Sequence, residues 1–390
     1  MISTLAVGHV RSLDGQEFSF TPGINVIHGP NGCGKTTVLE SVHLLSQGFS
    51  FRAKDLKELI AWNNDELLLR GAFDCDGMPL VRALQVGRRK VTAKENGSAV
   101  RSVSAFFGRS PAVIMQPSDI ELLRGAPEIR RHWLDEILCF RSAANAGVLR
   151  NYKRVLQQRN QWLRQFKKEG SAVGGEDLFQ VLSRQLVELG ARLWLARIDL
   201  SAEISPVITA YYRRLSGGVD EITCDYRSSI LKELDALDAA DFMGDDELDS
   251  VVAENVADYN AGGVTEEMLR NAFAEKLADL EYVEKLQDVT MAGPHRDDLA
   301  LCASGYEMRS VGSQGQCRSA AIAMRFAAVD VASQHVGKPI LLLDDIFAEL
   351  DVNRRDAVAS LVREKDCQVL IATPQVEELP FKADEQIALK

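Results

Sequence analysis

The chain has 390 residues, 46% hydrophobic and 26% charged, which fits a folded soluble protein with two packed regions and excludes disordered, fibrous and membrane-embedded classes. A net charge of −11 excludes a surface that binds phosphate everywhere, but not a local patch: acid gathers from Glu233 to Asp258, and base at Arg82 to Arg101 and Arg150 to Lys168. The seven cysteines are scattered without close pairs, and the longest apolar runs, such as Pro339 to Leu343 and Val369 to Ala372, are too short to span a bilayer; a reduced, cytoplasmic protein with no membrane partner is expected.

Strand character opens the chain at Ile2 to Val10, Glu17 to Phe20 and Ile24 to His28, the last ending at a Gly-Pro turn signal, with a helix predicted from Lys35. Leu67 to Cys75 and Leu80 to Val86 read as strands joined by the hairpin signal Asp76-Gly77. From Glu128 to about Leu215 the apolar residues, among them Trp133, Ile137, Leu149, Leu156 and Leu163, follow helical spacing, with a loop at Gly170 to Gly175. The acidic stretch near Gly244 reads as an exposed, mobile connection, and Met268 to Leu286 as a further amphipathic helix. Strand character returns at Leu299 to Cys302, followed by a helix from about Ser313 to His335 and short strands at Ile340 to Leu343 and Val369 to Ala372. The expected fold class is α/β: an ABC-type P-loop ATPase head, a mixed sheet flanked by helices, its halves at 1–127 and 291–390 split by a helical insertion lobe at 128–290.

Gly29-Pro30-Asn31-Gly32-Cys33-Gly34-Lys35-Thr36 satisfies the full phosphate-loop pattern, with a strand before it and a helix after it. Glycines let backbone amides turn inward around phosphates, and the helix N-terminus adds favourable partial charge. Lys35 is expected to reach the β and γ phosphates of ATP, Thr36 to hold Mg²⁺, and Thr37 to complete the nucleotide-binding run. Asp344-Asp345, after an apolar strand, supplies the required acids: Asp344 for the Mg²⁺ shell and Asp345 to orient or deprotonate the attacking water. Two acids there could also cap a helix.

Ser313-Gln314-Gly315-Gln316 is by itself a capping box. It lies one helix before the acidic strand, where ABC-type ATPases carry their signature, so Ser313, Gly315 and Gln316 are expected to face the γ-phosphate held by a second copy. Glu349-Leu350-Asp351 and Thr373 complete the motif order, Thr373 standing at a switch position usually held by histidine.

These motifs, together with Ser50-Phe51-Arg52, the run Gln116 to Gly125, Arg130-Arg131, Leu134-Asp135 and Gly293-Pro294-His295-Arg296-Asp297-Asp298-Leu299, closely resemble the RecF family of the ABC and SMC-like ATPase class over nearly the whole chain. His9-Val10-Arg11-Ser12 and Gly312 depart from the family pattern, and Gln116 is a candidate Q-loop residue by neighbourhood alone. The resemblance implies an ATP-dependent homodimer that binds DNA at gapped duplexes or junctions between single and double strands. It also implies work with RecR and RecO to load RecA in recombinational repair and replication restart, a part in SOS induction, and slow, DNA-stimulated ATP hydrolysis used as a switch. The alternatives are the ATPase subunit of a transporter, disfavoured by the long insertion and divergent signature, and an ATP-bound scaffold that does not cycle.

Two basic sets are candidate DNA contacts. Arg150, Lys153, Arg154, Arg159, Arg164, Lys167 and Lys168 share a predicted helix with Tyr152 and Trp162, where a merely solvated face competes; Arg82, Arg88, Arg89 and Lys90 lie on the head sheet. His295, with Arg296, Asp297 and Asp298, reads as part of a structural ion-pair network, with no second His or Cys nearby to complete a metal site. Trp133, Trp162 and Trp194 read as core.

Overall fold

The computed structural model describes residues 1–218, 221–231, 234, 263–377 and 379–389. The acidic connection near Gly244 lies outside the described residues. The chain divides into two compact units, one comprising Met1–Ile120, Tyr211–Asp220 and Ser313–Lys390, the other Glu121–Ala210 and Glu221–Gly312.

In the first unit, β1 (Ile2–Gly8), β2 (Gln16–Ser19) and β3 (Ile24–His28) lead into α1 (Lys35–Gln47), followed by β4 (Glu66–Cys75), β5 (Met78–Gly87), β6 (Val91–Glu95), β7 (Ser98–Ala99) and β8 (Ala112–Met115). The second unit carries α2 (Glu121–Arg124), α3 (Pro127–Arg141), α4 (Ala143–Glu169), most of α5 (Gly175–Leu215), β9 (Ile222–Arg227), α6 (Glu266–Gln287), β10 (Asp298–Ala303), β11 (Tyr306–Glu307) and α7 (Met308–Val311). The chain then returns to the first unit with α8 (Gln314–His335), β12 (Ile340–Asp344), α9 (Val352–Glu364), β13 (Gln368–Thr373) and β14 (Glu385–Ala388).

The first unit holds a six-stranded antiparallel sheet, β2-β1-β4-β5-β6-β7, and a five-stranded parallel sheet, β14-β3-β13-β12-β8. Their sequences differ as their surroundings do. Residues of β4 alternate between buried and exposed along most of its length, as in a strand with one wet face, whereas β13 is buried at every position. Helix α1 lies between the two sheets: its Val38, Leu39, Val42 and Leu45 share one apolar cluster with Leu69 and Leu84 of the antiparallel sheet and Ile27, Ile114 and Leu342 of the parallel one. Every residue from Thr37 to Gln47 is buried, so its polar members must find partners inside. Gln47 does so by donating from Nε2 to the Ala112 carbonyl at 2.9 Å.

Register then sets the site. His28 pairs with Thr373, and Ala372 with Asp344, so β3, β13 and β12 end level with one another. The carboxyl ends of adjacent parallel strands are where open α/β sheets bind ligands.

The second unit is mainly helical. α3 begins with Pro127, whose missing N–H costs nothing at a first helical position. α4 runs from an N-cap at Ser142 to the left-handed Gly170. A three-stranded antiparallel sheet, β11-β10-β9, completes it. No helix among the described residues is long and apolar enough to cross a membrane.

Candidate nucleotide site

The loop between β3 and α1 is held in shape by its own chemistry. Gly29 has φ +149°, and a Cβ there would lie 2.3 Å from the Leu389 carbonyl oxygen. Gly34 has φ +106°, and a Cβ would meet the Leu13 side chain at 2.5 Å; only glycine fits either position. Lys35 Nζ donates to the carbonyls of Gly29 at 2.8 Å and Pro30 at 2.9 Å, so the loop curls around its own ammonium. Thr36 Oγ1 donates to Asp344 Oδ1 at 2.9 Å, joining residues 308 positions apart. Asp345 follows with φ +51°, in the left-handed region, its N–H donating to the Ala372 carbonyl at 2.9 Å.

Asn31, Gly32, Gly34, Lys35, Thr36 and Thr37 line a cavity of about 710 Å³, faced by Asp344 and Asp345. The size suits a nucleotide-sized ligand. Gly29, Pro30 and Cys33 build the loop without lining the cavity. Burial pushes the Asp344 carboxyl above its ordinary pKa, against the opposing pull of the Thr36 hydroxyl and the Arg52 charge. A hydroxyl beside a carboxylate, with room for water and phosphate oxygens, is the hard-oxygen donor set that Mg²⁺ takes.

Glu40 is the part of this site that motif reading passes over. It stands on α1 one turn after Thr36 and is buried. Its carboxylate accepts from Arg11 Nε at 2.9 Å and Nη2 at 3.1 Å and from Ser50 Oγ at 2.5 Å, with Arg52 Nη1 at 4.0 Å. Arg11 and Arg52 both line the cavity. A signal did exist: an acid four positions after the P-loop threonine, set among Val38, Leu39 and Val42, needs buried partners.

Ser313, Gly315 and Gln316 do not line this cavity. Ser313 Oγ accepts from the Gln316 N–H at 3.2 Å while Gln316 Oε1 accepts from the Ser313 N–H at 2.9 Å, the capping box its spacing predicts. A Cβ on Gly315 would lie 2.8 Å from Arg354 Nη1, so the glycine admits that guanidinium. Arg354 binds Asp351 at 2.5 Å, and Arg318 Nη1 donates to the Glu349 carbonyl at 2.7 Å, tying the Glu349-Leu350-Asp351 segment to α8. Thr373 turns its hydroxyl onto its own loop, donating to the Gln375 carbonyl at 3.1 Å. Gln116 also lies off the cavity, and its N–H donates to Asp119 Oδ2 at 3.0 Å.

Residues 4–92 match the family described as AAA domain. The DNA replication and repair protein RecF of Geobacter sulfurreducens is 34% identical over 379 residues, covering 97% of this chain and 94% of that protein. The chain belongs to the RecF family. RecF of Bacillus subtilis is 27% identical and covers 100% of this chain and 97% of its own. A solved structure of the recombination mediator protein RecF with ATP, from the RecFOR pathway, superposes with a TM-score of 0.84 at 25% identity, covering 100% of this chain and 95% of that one. An Smc head domain at 16% identity and TM-score 0.53, covering 100% of this chain and 94% of its own, shares the fold.

The RecF-like segments of the second unit are tied to one another, whereas Ser50 and Arg52 meet Glu40. Arg130 forms a two-pronged pair with Asp298, at 2.6 and 2.9 Å, and donates to the Gly125 carbonyl at 2.9 Å. Arg197 joins Asp135 at 2.7 Å to the Pro294 carbonyl at 2.6 Å, and Arg131 donates to the Asp297 carbonyl at 2.5 Å. His295 donates from Nε2 to the Thr290 carbonyl at 3.2 Å, leaving Nδ1 to accept from the Tyr152 hydroxyl at 2.7 Å. This suits a neutral imidazole, and burial pulls its pKa down to about 4. Among the described residues no group of three or more His, Cys, Asp or Glu side chains could hold a metal.

The basic candidates need correction. Arg159 is 1% exposed and bound to the equally buried Glu284 at 2.6 Å. Arg82 is fully buried, donating to the carbonyls of Leu45 and Ser46 at 2.8 and 3.0 Å. Neither can meet a phosphate. Tyr152 and Trp162 are also buried, and Trp133 and Trp194 join them in the core, as expected. Lys153 pairs with Asp135 at 3.2 Å and Lys167 with Asp288 at 3.1 Å. Arg150, Arg154, Arg164 and Lys168 remain exposed on α4, and Arg88, Arg89 and Lys90 at the β5–β6 turn.

Proposed function

We propose that this RecF-family chain binds ATP with Mg²⁺ in the cavity above β3 and β12, and that binding and slow hydrolysis switch a homodimer that holds DNA. The observation that carries the reading is the 2.9 Å contact between Thr36 and Asp344. It joins the two groups a phosphate-loop site needs for its metal, and RecF relatives solved with ATP support that nucleotide as the ligand. Lys35 would leave its loop carbonyls for phosphate oxygens, while the loop amides and the α1 N-terminus take the remaining charge. Mg²⁺, when bound, would offset phosphate charge. Asp345 lines the same cavity, which supports its assignment as the group that orients or deprotonates water.

Ser313, Gly315 and Gln316 stand off their own cavity, which suits a signature that completes the site of a second copy. The partners follow from the family: gapped or junction-containing DNA, with RecR, RecO and RecA, in cytoplasmic recombinational repair, replication restart and SOS induction. Solved relatives are recombination mediators of the RecFOR pathway, which supports that role.

Sedimentation of wild type and Lys35→Ala, with and without Mg-ATP and a short gapped duplex, tests the proposal. ATP is expected to shift only the wild type from monomer to dimer, and the dimer to retain DNA. A wild type whose mass ignores ATP, or a dimer that ignores DNA, would overturn it.

A further inference from the structure

The RecF-like segments Arg130-Arg131, Leu134-Asp135 and Gly293 to Leu299 do not line the P-loop cavity. One residue of each, Arg131, Asp135 and His295, lines a second cavity of about 350 Å³. Its lining comes from α3, α4, α5 and the segment before β10, all in the second unit. The volume lies at the lower end of the range of ligand pockets. Its carboxylates are already spent or wet. Asp135 is buried, and each of its oxygens has a cation, Arg197 Nη2 at 2.7 Å and Lys153 Nζ at 3.2 Å. The Glu128 side chain is 81% exposed and 4.0 Å from Arg131 Nη2, so water screens most of its charge. His295 engages both ring nitrogens, with Thr290 and Tyr152, and is neutral.

Against these groups stand three cations of the lining, Arg131, Lys153 and Arg197. Arg197 is 3% exposed, and its Nε–H has no partner. A buried donor left unmet is costly, and an oxygen acceptor relieves that cost. Leu149, Leu156 and Leu193 add an apolar wall. We propose that this cavity is a second ligand site, one that takes a small organic oxyanion: a carboxylate or a phosphate monoester on a short apolar body. Guanidinium groups suit either head, because their N–H forks match its oxygens. The exposed Lys153 meets the incoming charge, Arg131 and Arg197 hold it, and the leucines cover the rest of the ligand. The site is separate from the P-loop cavity and does not depend on the ATP reading.

The test titrates propyl phosphate, butyrate and, as a cationic control, butylamine into the full chain by calorimetry. Acetylation of Lys153, followed by mass spectrometry, reports locally. Both anions are expected to bind wild type and Lys35→Ala alike and to protect Lys153, and butylamine to do neither. Lys153→Met changes a side chain that is 62% exposed, so Tm should stay nearly unchanged while propyl phosphate weakens about threefold or more. Arg131→Gln should weaken it about tenfold or more. Nucleotide affinity should be the same in both variants. Anions that bind neither protein leave the cavity a hydrated crevice, and binding that vanishes in Lys35→Ala places them at the P-loop; either result overturns the assignment. So do unprotected Lys153, wild-type affinity in both variants, or binding of butylamine in place of the anions. If both variants release a short DNA duplex while no small anion binds, the lining is a nucleic-acid contact and the small-ligand site is likewise overturned.

Discussion

Glu40 ties the cavity wall to the helix that carries the P-loop. Removing its carboxylate leaves the partly exposed Arg11 guanidinium and the Ser50 hydroxyl without their partner, and losing hydrogen bonds to a charged group costs about 1.5–3 kcal/mol. Glu40→Ala is expected to lose stability of that order in urea unfolding and to weaken nucleotide binding in calorimetry; an unchanged urea midpoint would show the carboxylate to be dispensable. His295 gives a pH dependence of definite sign. Its folded pKa of about 4 lies below the roughly 6.5 of an unfolded histidine. Between those values the unfolded chain holds a proton that the folded chain lacks, so this residue makes stability rise as pH climbs from about 4 to about 6.5 and stay level above. Asp297 acts in the opposite sense over part of the acid range, because burial raises its pKa and the folded state then holds the extra proton. Comparing wild type with His295→Asn by urea unfolding at several pH values isolates the histidine: the variant's stability curve should be flatter through that window, and parallel curves would refute the assignment.

At the scale of elements, the register of three parallel strands delivers the site, and one helix cap delivers the group proposed to complete it in a second copy. Ser313→Ala removes a capping oxygen, which alone costs about 1 kcal/mol. If Ser313 also faces the phosphate of a second copy, ATP-dependent dimerisation measured by sedimentation should fall by more than tenfold while Tm moves only slightly; a dimer as stable as wild type would leave the serine a cap and nothing more. The elements legible in the sequence are those with a strong local signal. β3 and α1 flank a motif, β4 and β5 flank Asp76-Gly77, and α8 opens with its capping box. Those that sequence reasoning misses lack one. β8 is only Ala-Val-Ile-Met, and its strand state follows from pairing with β12. β14, Glu-Gln-Ile-Ala, is a largely exposed edge strand without apolar alternation, held by pairing with β3.

For the whole molecule, a net charge of −11 means that any DNA surface must be a local concentration of base. Arg88, Arg89 and Lys90 form such a group at an exposed turn, with Arg88 only loosely engaged by the exposed Asp65 at 3.1 Å. Each phosphate that a cation no longer neutralises lowers the salt slope of binding by about 0.9. Replacing all three by Ala is expected to weaken DNA retention by the ATP-bound protein and to reduce that slope by roughly two to three; an unchanged slope would turn attention to Arg150, Arg154, Arg164 and Lys168 on α4.

Chemistry that acts over a few residues is legible before any fold is known: a phosphate loop between a strand and a helix, an acidic strand end, a capping box, a hairpin turn, and the order of these along the chain. Their physics is local, so spacing expresses it. Which distant groups meet, and which charges face water, depends on packing. Thr36 reaches Asp344 because β13 aligns the ends of β3 and β12. Arg159 carries the same charge as Arg154 on the same helix, yet one is sealed against Glu284 and the other is exposed. A cation's place in the sequence does not record whether a carboxylate from a remote helix will cover it; only the folded chain does.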